Sequence, residues 1–261
     1  MKAGFLQFNP IFGRKKTNFI KVAEMLKDVA CDLIVLPELF NTGYTFNDRE
    51  ELIALAESAE WGETRDFAQA QAREKNCLIA YGFAERENHT FYNSCSLMGP
   101  TGPVGLYRKV HLFCREKEFF APGNTGFQVF EYGGVKYGLM ICFDWIYPEV
   151  ARTLALKGAQ VILHPSNLVL PYCPDAMVTR AIENRVYIIT TNRVGKDERN
   201  GQANHFIGRS QVVSPKAEVL VRVETEECVR IVEIEPTLAL NKDITPYNNV
   251  FTDRRQDLYF K

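Results

Sequence analysis

Each thing this chain of 261 residues lacks removes a class of explanation. Its seven cysteines, at 31, 77, 95, 114, 142, 173 and 228, are odd in number, scattered in spacing and without a Cys-x-x-Cys pair. A disulfide framework or a zinc knuckle is therefore not expected, and most of these thiols read as small, reduced core residues. Charge of one sign is also missing. The 31 Lys and Arg against 32 Asp and Glu leave a net charge of −1. That gives no basic field for gripping a phosphate backbone, so nucleic acid is not an expected partner. No apolar run approaches the ~18 residues that span a bilayer. The opening MKAGFLQFNPIFGRKK has neither the apolar stretch nor the small-residue cleavage site of a signal peptide. No membrane partner is expected, and the cytoplasm is the expected location. Repeats, low-complexity linkers, HExxH, a Walker loop and GxGxxG are absent as well.

What is present suits one large core: 46% of residues are hydrophobic and 12% aromatic. The expectation is a single domain over residues 1–261, with a polar C-terminal tail from about 245 to 261. Ala3–Phe8 reads as a strand and 15–30 as an amphipathic helix. Asp32–Pro37 is a short apolar run that suits a strand covered on both faces. A polar loop spans Asn41–Asp48, and 63–75 reads as a second helix. Strands are expected at Cys77–Ala84, Phe91–Met98 and Val104–Arg108, and a hairpin joins Phe127–Glu131 to Val135–Ile141 across Gly133-Gly134. A helix at Pro148–Leu156, a strand at Val161–Leu163, a helix at 174–184, and strands near 186–191, 206–213, 218–223 and 228–234 follow. Early helices, central hairpins and a later βαβ-like stretch make this a mixed α/β chain.

Three residues at strand ends invite chemistry. Glu38 follows the buried-looking LIVLP, where desolvation would raise a carboxylate toward a useful base; on that feature alone a surface turn fits equally well. Lys109, in GLYRKVHLF, sits where a strand enters a loop, and alone it reads as a snorkelling surface lysine. Cys142 ends GLMICFDW just before Pro148 opens a helix. A nucleophile on a strand-to-helix turn meets substrate, and nearby N–H groups can face an oxyanion. A buried structural cysteine is the competing reading, and the adjacent Asp144 argues against it by implying that the turn reaches solvent. A cysteine nucleophile needs a base. His89 and His205 lie in a turn and a polar loop, and His111 and His164 make no Cys–His signature. A carboxylate is left, and Glu38 is the best placed.

Together the three segments resemble the signatures of the nitrilase superfamily, the carbon–nitrogen hydrolases. LPELFNTGY, YRKVHLF and GLMICFDWIYPE stand in the family's order, their key residues 71 and then 33 positions apart. Arg115–Gly123 resembles the stretch that carries a second glutamate in many members, and counting back from Pro122-Gly123 makes it Glu116 rather than Glu118. Arg180–Arg185, Gly208–Ser210 and Arg254–Tyr259 also resemble family segments, with Gln256 where relatives often have proline. The resemblance implies a four-layer α-β-β-α sandwich and a homodimer, or a higher even oligomer, packed helix layer to helix layer.

It also implies a mechanism. Glu38 would take the Cys142 proton, Lys109 and a backbone N–H (that of Phe143) would hold the oxyanion, and Glu116 would position substrate or Glu38. The scheme requires no metal and no organic cofactor. By their position beyond strand ends, Phe143, Tyr44, Trp145 and Asn167 are candidate substrate-binding residues, with Tyr172 at a comparable position, and ordinary core or rim packing fits them equally well. The expected substrate is a small amide or carbamoyl compound; a nitrile is the second choice, and acyl transfer to another acceptor the third. From a different class, a non-catalytic thiol switch at Cys142 would have no use for Glu38 or Lys109.

Overall fold

The computed structural model describes residues 1–199 and 201–259. Period-two alternation sets the first half. In β1 (Lys2–Gln7), Ala3 and Phe5 face one core while Leu6 faces another, which it shares with Val22 and Leu26 of α1 (Lys15–Leu26). The same split recurs in β2 (Leu33–Val35), where Leu33 and Val35 face away from Ile34. Two helices, α2 (Arg49–Leu55) and α3 (Glu63–Lys75), precede the long strands β3 (Leu78–Glu87), β4 (Thr90–Gly99) and β5 (Gly102–Arg108). The short α4 (Glu116–Phe119) follows.

The second half begins with the hairpin of β6 (Val129–Tyr132) and β7 (Val135–Leu139). A 3₁₀ turn at Cys142–Ile146 leads into α5 (Pro148–Leu156), β8 (Val161–Pro165), α6 (Cys173–Asn184) and β9 (Tyr187–Thr191). Then come the hairpin of β10 (Lys196–Arg199) and β11 (Gln202–His205), and the strands β12 (Gln211–Val213), β13 (Val219–Arg222) and β14 (Cys228–Glu233). A small hairpin, β15 (Asp243–Thr245) with β16 (Asn248–Asn249), lies in the tail; the tail's last two residues fall outside the described ones.

Two six-stranded sheets result, ordered β14-β1-β2-β3-β4-β5 and β13-β12-β9-β8-β7-β6. Each has a parallel centre, β1-β2-β3 in one and β7-β8-β9 in the other, with antiparallel strands outside it. The inward residues of both sheets, among them Phe5, Val35, Leu139 and Leu163, share one core that also takes in Leu154 and Met177 of α5 and α6. Helices α1 and α3 cover the first sheet from outside through Phe19, Val22, Ala68 and Ala72. This is the α-β-β-α sandwich that the resemblance implies.

Differences from the sequence reading have local causes. Helix α2 extends the expected loop because Asp48 caps it, its carboxylate accepting from the Glu51 N–H at 2.9 Å. The β10–β11 hairpin carries no apolar alternation to reveal it. Polar ties hold it instead: Arg193 and Thr45 to Asp197, and Arg199 to Glu51. The strand expected at 206–213 shrinks to β12, because Phe206, Ile207 and Gly208 spend their N–H groups on Gly195, Leu168 and Arg193. Among the described residues no helix is long and apolar enough to cross a membrane.

Candidate active site

Three chemistry-bearing residues follow strands of the parallel centres, and the fourth follows the edge strand β5. Glu38 comes after β2, Lys109 after β5, Cys142 after β7 and Asn167 after β8. Gly82 in β3 makes room for the first of these turns, since a Cβ there would stand 2.6 Å from the Glu38 Cα.

Lys109 is 1% exposed, so the surface reading of this lysine is wrong. Its Nζ donates to Glu38 Oε1 at 2.7 Å and to Glu116 Oε1 at 2.8 Å. Asn93, from the middle of β4, donates to the same Glu38 oxygen at 2.7 Å, and Glu38 Oε2 has no partner among the described residues. Tyr44 donates its hydroxyl to Glu116 Oε1 at 2.7 Å, and the Phe113 N–H reaches Oε2 at 3.2 Å. Glu118 points elsewhere, to an exposed pair with Arg115. Of the two glutamates, Glu116 is the one that joins Lys109.

Burial pushes the Glu38 carboxyl above its ordinary range, opposed by Lys109 and assisted by Glu116. Burial alone would lower Lys109, but the carboxylates of Glu116 and Glu38 outweigh it and raise the ammonium. Burial also lifts the Cys142 thiol well above its usual value; Glu38 adds to the rise and Lys109 works against it. The resting sulfur therefore keeps its proton, and as a nucleophile it would need a base.

Cys142 adopts φ +42°, a left-handed conformation that a side chain tolerates only when its surroundings impose it. Two buried groups impose it here. Asp144, 0% exposed, accepts from the Ile141 N–H at 2.9 Å, the Tyr107 hydroxyl at 2.8 Å and the His111 N–H at 3.2 Å, with the His111 ring at 2.7 Å. Asp144 thus binds the Cys142 turn to the segment that carries Lys109. It does not bring the turn to solvent, contrary to the sequence reading: a carboxylate that accepts four contacts can be buried. His164 does the rest. Burial lowers its pKa to about 4, so the ring is neutral, and Nε2–H donates to the Cys142 carbonyl at 2.9 Å.

Phe143, Trp145 and Asn167 line a small cavity with Cys142, together with Phe113, Leu168, Val169 and Leu170. Tyr44 and Glu116 line a second one with Phe46, Phe119 and Asn204. Tyr172 is 65% exposed at the start of α6 and borders neither. Asn93, Asp144, Tyr107 and His164 were missed as supporting residues. Only the strand-end position of Asp144 and His164 offered a signal. Among the described residues no three His, Cys, Asp or Glu side chains converge as a metal ligand set.

A family model described as carbon-nitrogen hydrolase matches residues 2–240. Over 265 aligned residues the chain is 48% identical to a nitrilase of Pyrococcus abyssi, covering all of both proteins. It is 34% identical to an (R)-stereoselective amidase of Pseudomonas sp, over 78% of this chain and 73% of that one. Among solved structures, a carbon-nitrogen hydrolase from Helicobacter pylori G27 superposes with a TM-score of 0.88 at 28% identity, over 99% of this chain and 96% of that one.

Proposed function

The chain belongs to the carbon–nitrogen hydrolase family, and from that premise we propose that it cleaves the C–N bond of a small amide or carbamoyl compound through an acyl-thioester on Cys142. The observation that carries this reading is the buried Lys109 bridging Glu38 and Glu116. Two of its three N–H bonds are spent there, which leaves one for an oxyanion. As the Cys142 sulfur bonds to the carbonyl carbon, its proton passes to Glu38 and the oxygen takes up negative charge. Lys109 and the backbone N–H of Phe143 hold that charge; one such donor is worth about 3–4 kcal/mol. The C–N bond then breaks, and Glu38 returns the proton to the departing nitrogen. Water gives a proton to Glu38 and its hydroxyl to the thioester, the C–S bond breaks, and the thiol recovers its proton. Glu116, held by Tyr44, fixes Lys109 between the two acids.

Nitrile hydrolysis is the second reading, favoured by the name of the 48% identical relative. Incubation with a panel of small amides, carbamoyl amines and nitriles tests both, with ammonia release and the mass of the protein as readouts. An acyl adduct confined to Cys142, and loss of turnover in Cys142→Ala, are expected. Turnover that survives this change, with no adduct on wild-type protein, would overturn the Cys142 mechanism, and wild-type protein that releases no ammonia from any member of the panel would leave the thiol-switch alternative.

The assembly proposed is a homodimer, helix layer to helix layer. It is supported by exposed apolar side chains at Ile146, Tyr147 and Leu156, around α5. Sedimentation of a species of about 30 kDa alone would overturn it. We further propose that residues 1–261 form one domain and that the protein works in the cytoplasm, a reading supported by seven scattered cysteines that are all unpaired.

A further inference from the structure

Asn167 is 3% exposed and its two ends are used unequally. Nδ2 donates to the backbone carbonyl of Glu38 at 2.9 Å. A carbonyl can only accept, so this bond fixes which end of the amide is nitrogen and turns Oδ1 the other way. Oδ1 has no partner among the described residues. Other acceptors share that condition, including Asn41 Oδ1 and Asn93 Oδ1, but neither of those residues borders the nucleophile. Asn167 does. It lines the cavity beside Cys142, where its neighbours Phe113, Phe143, Leu168 and Val169 bring apolar side chains and Trp145 adds a single indole N–H.

An unpartnered buried acceptor on a residue that lines an apolar cavity discriminates among ligands by whether they carry a hydrogen for it. A primary amide or carbamoyl group brings two N–H bonds on its leaving nitrogen. A nitrile nitrogen brings none and meets the oxygen lone pair to lone pair. Resting on the hydrolase reading above, we propose that Asn167 Oδ1 is a specificity-determining acceptor that reads the N–H of the scissile –NH₂ group. Asn167 thereby favours amide over nitrile substrates carrying the same acyl group. Through Nδ2 the same side chain ties this reading to the turn that carries Glu38, the base that must later protonate that nitrogen.

The test uses matched ligands, because a methyl ketone has the shape of the amide with CH₃ in place of NH₂. In Cys142→Ala protein, where no adduct forms, propionamide and benzamide are expected to bind at least ~10-fold more tightly than butanone and acetophenone. Equal affinities, or no measurable amide binding at millimolar concentrations, would overturn the proposal without any change at Asn167. In wild-type background, Asn167→Leu is expected to lower kcat/KM for the amides by ~10–100-fold and for propionitrile and benzonitrile by less than ~3-fold. A uniform loss for both classes would show a merely structural role, as would an unchanged amide-to-ketone ratio in Cys142→Ala/Asn167→Leu. Failure of the underlying hydrolase reading looks different. There, wild-type protein releases no ammonia from any member of the panel, whatever the binding ratios.

Discussion

Arg108 and Lys109 are neighbours at the end of β5, and each meets two glutamates, yet the two clusters are built on opposite rules. Arg108 satisfies everything around it. It contacts both oxygens of Glu85 and of Glu87, donates to Asn124 Oδ1 at 2.9 Å and stacks over Tyr92 at 4.2 Å. Ser94 donates to Glu85 as well, at 2.6 Å. The Lys109 cluster lies deeper and remains incomplete, with Glu38 Oε2 unpartnered. A planar fork suits a saturated structural joint, whereas a compact ammonium leaves directions open. Saturation reads as architecture. An open valence in a buried cluster, next to a strained cysteine, reads as a site.

The largest effect expected is at the open cluster. Glu38→Gln keeps the side chain's shape and its contact with Lys109 but removes the base, so turnover should fall at least ~10³-fold while the thermal midpoint stays close to wild type. Near-normal ammonia release would end Glu38's role. The comparison itself is broken or kept by a pair of substitutions. Lys109→Met strands two buried acids and is expected to cost on the order of 3–5 kcal/mol in urea unfolding, with complete loss of turnover. Arg108→Met also destabilises, by a few kcal/mol, but kcat per alkylatable Cys142 should remain within ~5-fold. Equal loss of turnover in both, at a temperature where both are folded, would erase the distinction between the two clusters.

His164 sharpens the contrast, being a buried titratable group on which burial outweighs the pull of Asp144. Its folded pKa, about 4, lies below the ordinary 6.5, so the unfolded chain binds the extra proton between those values. Its contribution is therefore fully present above pH 6.5 and drains as pH falls toward 4, by about 3 kcal/mol in total. Unfolding of wild type and His164→Gln, compared at pH 7 and pH 4.5, should show the steeper decline in wild type; parallel declines would refute the assignment. The smallest change is expected from Tyr44→Phe. It removes one hydrogen bond to Glu116, worth about 1 kcal/mol, and should lower kcat/KM by ~5–10-fold with the fold unaffected.

The strand-end positions of Glu38, Lys109 and Cys142, and most strands and helices, were legible because period-two alternation, helical periodicity and three ordered segments all lie along the chain. What was not legible depends on partners far away in sequence. Asp144 looks like a solvent-facing residue until Tyr107 and His111 are brought to it from another strand end. Asn93 sits mid-strand in β4 with nothing to mark its reach to Glu38, 55 positions away. Tyr44 and Glu116 are 72 apart. The β10–β11 hairpin was invisible for a related reason: ion pairs hold it, and ion pairs leave no periodic trace.

The route of the chain through the two sheets has a practical consequence. Glu38, Lys109 and Glu116 all precede residue 124, whereas Cys142 and Asn167 follow residue 128, and the stretch between is largely at the surface. A cut there yields two fragments, each chemically mute: one has the base and the cation, the other the thiol. Strand β14 crosses back to pair with β1, giving the second fragment a handle on the first. Ammonia release would then report reunion of the pieces, and the molecule could serve as a split reporter whose signal is its own reaction.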